Sequence, residues 1–417
     1  MKQLLVVCNF LMLSMGVSAN SILITGADLY GSTGVLVDTS IYIEDGIIAA
    51  LGDSSPNSAD VEFDGAGKSI TAGLFNGSTH IGAIEVEQIE QTEDFISYSA
   101  AVGASFKIAD AFNPRSTLIP FNRVQGLSHA LLVPEAGNRL FAGQVALVQL
   151  GNQPQVIDDS VAVAVDYTEG GFDLAGSSRA TAMAMLRQGL ADAQDFARNK
   201  PAALAGARRD YSLSLADLTA LEPVISGAKP LLVRTHRASD ISAILRLAKE
   251  FNLRLILSGV VEGWLVAEQI AAANVPVIID PIENLPSSFE TLGARLDNAK
   301  LLSDAGVTLV FTGMSWLSTH NAYLVRQSAG NAVANGLDKN VAIAAMTRNP
   351  AKLFAASVSG DIAVGEIADL VLWSGDPLEL TSEPDLVMVA GEQIPLESRA
   401  LLLRDRYFKR LQALDAE

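Results

Sequence analysis

At 417 residues, with 49% hydrophobic and only 18% charged side chains, the chain can bury one barrel of roughly 250–300 residues plus a small satellite. Its 33 glycines suit an α/β protein with many tight turns. A formal net charge of −18 speaks against nucleic acid or anionic lipid as partner, because both need clustered Lys and Arg, and it fits an exported protein kept soluble by its charge.

Met1-Lys2-Gln3, a largely apolar run from Leu4 to Val17, and Val17-Ser18-Ala19 together predict a secretory signal peptide over residues 1–19. The run is too short for a permanent membrane anchor, so the expected location is periplasmic or secreted. Cys8, the only cysteine, lies inside that segment, and the mature chain then has neither a disulfide nor a thiolate metal ligand.

Residues 21–64 read as short strands separated by turn residues such as Asp45-Gly46. They are too few to close a sheet of their own. A matching strand-rich piece, Gly360–Trp373 and Leu386–Gly391, stands near the other end. The economical arrangement is a small composite β-sandwich from 20–69 and 357–395, with a large insertion over 70–356 and a C-terminal helix in 396–417.

The insertion opens on Ile70–Gly82, where an apolar run turns into small and polar residues around His80, as a buried strand does when its end projects into a site. The acidic segment Glu85, Glu87, Glu90, Glu93 reads as a solvated face. Leu127–Pro134 is a second barrel-type strand, and Gly137 to Val161 reads as a Gly-rich excursion. From Ser214 the pattern is regular: the apolar runs 231–236, 253–259, 275–280 and 307–313 alternate with helical spacing. Such βα units predict a (β/α)8 TIM-type barrel, with chemistry at the C-terminal strand ends, where His80, His236, Ser258, Asp280 and Met314 fall.

Gly73-Leu74-Phe75-Asn76-Gly77-Ser78-Thr79-His80 resembles the P-G-L-I-D-x-H-x-H strand of the amidohydrolase superfamily. Leu231–Ile241, Ala329–Leu337, Thr347–Ala351 and Ala368–Glu379 are similar, in the same order, to exported amidohydrolases related to imidazolonepropionase. The resemblance implies a hydrolase acting on a non-peptide or cyclic carbon–nitrogen bond of a small molecule. It also implies zinc or another divalent metal, held by the first-strand histidine pair, one histidine each from strands 5 and 6 and an aspartate from strand 8. This chain departs from that set. Asn76 replaces the aspartate and Ser78 the first histidine. Arg234 stands where relatives place one strand-5 histidine, strand 6 ends in Ser258-Gly259, and Met314 stands near the strand-8 aspartate.

Of the four histidines, His80 and His236 are the expected metal or acid–base groups, and His320, just past strand 8, is the third catalytic candidate. His129 reads as structural. Glu85, Glu262 and Asp280 are the carboxylates that could rebuild a site. The alternative to a hydrolase with a depleted metal site is a catalytically inactive binding barrel. The expected partner is a small molecule, with self-association open.

Overall fold

A computed structural model describes residues 21–31, 34–99, 101–283, 285–313, 319–354 and 358–414. The signal-peptide segment with Cys8, and also Met314 and Trp316, lie outside them. No described helix is long and apolar enough to cross a membrane.

The N-terminal strands are β1 (Ser21–Gly31), β2 (Gly34–Glu44), β3 (Ile47–Leu51), β4 (Val61–Asp64) and β5 (Ser69–Ala72). Barrel strands and a small ribbon follow: β6 (Leu74–Thr79), β7 (Ile96–Ser97), β8 (Leu127–Leu132), β9 (Glu135–Ala136), β10 (Phe141–Gln149), β11 (Gln155–Asp166), β12 (Leu231–Thr235), β13 (Leu255–Gly259), β14 (Val277–Ile279) and β15 (Leu309–Phe311). The chain returns through β16 (Leu370–Trp373), β17 (Pro384–Val389) and β18 (Glu392–Gln393). The α-helices are α1 (Leu118–Arg123), α2 (Glu169–Leu174), α3 (Arg179–Leu204), α4 (Leu215–Ile225), α5 (Ala238–Phe251), α6 (Ala267–Ala272), α7 (Asn298–Asp304), α8 (Val325–Ala334), α9 (Lys339–Ala345), α10 (Arg348–Phe354) and α11 (Arg399–Leu414).

Both chain ends share one hydrogen-bonded sheet in the order β18-β17-β16-β5-β1-β2-β3, with β4 also paired to β1. The junction is the antiparallel pair β5–β16, where Ile70 faces Leu372. Asp45 and Gly46 take φ of 49° and 77°, as the Asp-Gly hairpin turn requires. Ala390 and Gly391 do the same at 54° and 78°, and the two glycines pack back to back. A Cβ on Gly46 would lie 2.7 Å from the Gly391 carbonyl oxygen.

The second eight-stranded sheet runs β15-β14-β13-β12-β11-β10-β8-β6 and curls into a nearly closed barrel. Between its outer strands the seam is stitched by side chains. The fully buried Asn76 donates Nδ2 to the Ala322 carbonyl (2.8 Å), and Thr312 Oγ1 lies 3.0 Å from Asn76 Oδ1 and 2.8 Å from the Ser78 carbonyl. Gly77 lets the strands close up, since a Cβ there would meet Val310 Cγ1 at 2.6 Å.

Two expectations are corrected here. The stretch read as an excursion supplies β10 and β11, and β10 runs antiparallel to both neighbours, so the sheet is mixed rather than all parallel. The sequence misleads because Gly137, Gly143 and Gly151 punctuate it like loop. Yet Phe141–Val148 is buried throughout, and Gly143 (φ 142°) packs its bare backbone against the Phe106 carbonyl, 2.7 Å from where a Cβ would stand.

Candidate functional site

Strand alternation decides what faces the barrel interior. Along β12, Leu231 and Val233 join the outer core, whereas Leu232 joins the inner cluster with Phe75, Ala164, Ile256, Ile278 and Val310. The same period turns Arg234 and His236 inward. Asp166, Arg234 and Ser258 stand in register across β11, β12 and β13, one layer above the Ala164–Leu232–Ile256 row. Above this apolar plug lies a cavity of ≈130 Å³ lined by Ser78, His80, Asp166, Arg234, His236 and Ser258, with Glu135, Asp280, Glu283 and Thr312 completing its polar wall.

His80 and His236 are therefore brought together, but neither ring is charged at neutral pH. His80 Nε2 lies 3.0 Å from the Val133 carbonyl; because a carbonyl only accepts, Nε2 carries the proton and donates. Nδ1 faces the Thr319 hydroxyl at 3.5 Å, and the ring stacks on Phe95 at 3.9 Å. Burial pushes this imidazole down to about 4, against the opposing pull of the Val133 bond, and the Arg234 charge lowers it further. His236 is 6% exposed, its Nδ1 has no hydrogen-bond partner, and its ring lies on the bare backbone of Gly259. Burial, then Arg234, pushes it down to about 3.

Arg234 makes no hydrogen bond or ion pair with any described residue, although its guanidinium is in the cavity wall. The carboxylates around it divide into two kinds. Asp166 Oδ1 accepts from the Thr168 N–H and hydroxyl (3.0 and 2.5 Å), ahead of α2, and Asp280 Oδ1 accepts from the Ile282 N–H and the Ser328 hydroxyl (both 3.2 Å). Glu135 and Glu283 accept no hydrogen bond from described residues. Glu283 is half-buried, and burial followed by the neighbouring Asp280 raises its carboxyl, with Arg234 pulling the other way.

The remaining candidates lie elsewhere. His320 is not in the cavity wall; its Nδ1 donates to Glu87 at 2.9 Å. His129, 1% exposed on β8, hydrogen-bonds the Ser128 hydroxyl at 2.9 Å. Glu85 is taken up by Asn113 and Ser116, and Glu262 accepts from the Ala238 N–H at the start of α5. Sequence reasoning missed Glu135, Asp166, Glu283 and Thr312. For Glu283 the only signal was its place directly after a barrel strand, in Asp280-Pro281-Ile282-Glu283. Among the described residues, no group of three or more His, Cys, Asp or Glu side chains is placed to hold a metal ion.

These pKa shifts give an expected titration. His80, His129 and His236 should stay neutral down to about pH 4–5, since burial also pushes His129 down to about 4. Their unfolded rings protonate near 6.5. Stability is therefore fully present above that pH and falls as pH drops from about 6.5 towards 4, by about 3 kcal/mol for a ring shifted from 6.5 to 4. Glu290, 4% exposed and pushed up to about 7 chiefly by burial, works in the opposite sense, its contribution being lost as pH rises through 7. The clean readout is imidazole NMR; three rings that all titrate near 6.5 would contradict the buried geometry.

The fold and its mouth define an α/β barrel protein with its polar cavity at the C-terminal strand ends. A profile described as the amidohydrolase family matches residues 261–394. The amidohydrolase tasK of Hapsidospora irregularis is 21% identical over 389 residues, covering 84% of this chain; the chain spans only 39% of that relative's length. An amidohydrolase of Thermotoga maritima superposes with a TM-score of 0.79 at 21% identity, covering 90% of this chain and 99% of that one. A molinate hydrolase is further off, with a TM-score of 0.52, 16% identity and coverage of 91% and 95%. Residues 261–394 are thus similar to the amidohydrolase family, and the solved amidohydrolase structures share this chain's fold.

Proposed function

We propose that this chain acts on a carbon–nitrogen bond, of non-peptide or cyclic amide type, in a small molecule held at the barrel mouth, and that it does so with a depleted metal site. The observation that carries the reading is the cavity wall, where Ser78, Arg234 and Ser258 face inward at strand ends for which the resemblance implies metal-binding side chains, on strand 5 either position 234 or His236. The residues present do not fit the family's divalent metal. Hydroxyls replace imidazoles, His80 Nε2 is spent on Val133, and a fixed positive charge sits in the same layer. No metal-borne step is therefore derived. The group best held to take a proton from water is Asp280, fixed by Ser328 and the Ile282 N–H. The hydrolytic label is supported by the amidohydrolase match over residues 261–394 and by relatives named amidohydrolase and molinate hydrolase. In this reading residues 70–356 form the barrel, residues 20–69 and 357–395 fold into a sandwich beside it, and residues 1–19 direct export.

A second reading, a binding barrel without turnover, is favoured by His80, whose two ring nitrogens are already engaged. One experiment separates them. The purified protein should carry well under one divalent ion per chain. Hydrolysis of a panel of small linear and cyclic amides should survive chelators, and Asp280→Asn should lower it by about 100-fold or more. Ligand binding with no turnover of any amide would establish the second reading. Stoichiometric metal lost on His80→Ala would overturn both.

A further inference from the structure

The mouth of the cavity carries two exposed charges, Arg234 and Glu135, and the half-buried Glu283. Arg234 faces inward from β12 without a partner among the described residues, while Glu135 and Glu283, on two other walls, accept no hydrogen bond from described residues. Among the described residues none has a charged partner within 4.0 Å; Glu135 lies 3.8 Å from the neutral His80 ring. The third observation is His236, nine-tenths buried in the same wall with Nδ1 unpartnered. Of these groups only the His236 nitrogen is desolvated and costly to leave unpaired; Arg234 and Glu135 are exposed at the mouth, where a guanidinium with a free fork matches a carboxylate. By contrast Asp166 and Asp280 already have hydrogen-bonded partners.

We infer that the ligand of this cavity is a small zwitterion of amino-acid size, its carboxylate on Arg234 and its cationic nitrogen between Glu135 and Glu283. This rests on the small-molecule reading above and adds the ligand's chemical class. Size agrees: a cavity of ≈130 Å³ is close to the roughly 150 Å³ void that takes a benzene-sized molecule. Charge agrees too, because the wall carries one cation and several carboxylates, so a simple anion meets net repulsion and a simple cation leaves Arg234 unmatched.

Ligand-observed NMR on the full mature chain tests this with a series in which carboxylate and ammonium are progressively separated: glycine, β-alanine, 4-aminobutanoate and 5-aminopentanoate. Butanoate, n-butylamine and butanamide serve as single-charge and neutral controls. One member of the series should bind at least about tenfold more tightly than every control. Arg234→Met should reduce that amino acid to the level of n-butylamine, and Glu283→Gln should reduce it to the level of butanoate. The two variants report on opposite ends of the ligand, so loss of fold in one leaves the other to decide. Equal binding of butanamide or n-butylamine at the mouth would overturn the zwitterion while leaving a small-molecule site intact. A neutral fragment set that also fails to contact His236 and Ser258 would instead sink the small-molecule reading itself.

Discussion

Replacing Trp373 with alanine is expected to cost about 4–5 kcal/mol, the largest single-residue loss of stability in this chain. Trp373 closes β16 with none of its surface exposed. Its Nε1 donates to Thr71 Oγ1 at 2.9 Å across β5–β16, Arg326 lies over the ring at 4.6 Å, and Gly126 presses its backbone against the ring edge. Truncation leaves a cavity, an unpaired Thr71 hydroxyl and a buried guanidinium without its aromatic face. Against a total of about 5–15 kcal/mol, that is roughly a quarter of the stability or more. Urea unfolding should show a much lower midpoint with an unchanged slope, and Trp373→Phe should lose only about 1–2 kcal/mol. A shift below about 1 kcal/mol for the alanine variant would mean that the two chain ends do not depend on this contact.

The second expectation is a gain. Ser78→His combined with Arg234→His should tighten zinc binding on the order of 100-fold or more, because it adds two imidazoles and removes the fixed charge together. Ser78→His alone should gain little, since Arg234 remains in the same wall and repels the ion. Competition against a chelator of known affinity measures the difference. If the double variant folds and binds no more zinc than the parent, positions 78 and 234 do not converge with His80 and His236 on one point.

Much of the scaffold was legible because buried parallel strands announce themselves. Leu231–Thr235, Leu255–Gly259, Val277–Ile279 and Leu309–Phe311 are apolar runs with helices between them, and their C-terminal ends named His236, Ser258 and Asp280 as cavity residues. The β10–β11 hairpin was not legible, because Gly143 serves close backbone approach rather than a turn, a distinction that exists only once Phe106 is packed beside it. Asn76 is similar. As a letter it is a lost aspartate; in the fold its amide carries the barrel seam, through partners 246 and 236 residues away. Of the lone charges, the two carboxylates were the hardest to foresee. Arg234 is placed beside the site by its position on the fifth barrel strand, whereas Glu135 sits on the two-residue strand β9 and Glu283 in the loop after β14, neither with a pattern to orient it.

The shared sheet also sets a clock. Thr71 meets Trp373 across 302 residues of chain, so β5 has no β16 to pair with until nearly the whole polypeptide has been made. At ordinary synthesis rates that interval is about 15–60 s. Throughout it the N-terminal strands present an open edge to any other nascent chain. Translation speed through the barrel-coding region is thus expected to govern aggregation during biogenesis, with slower synthesis lengthening the exposure.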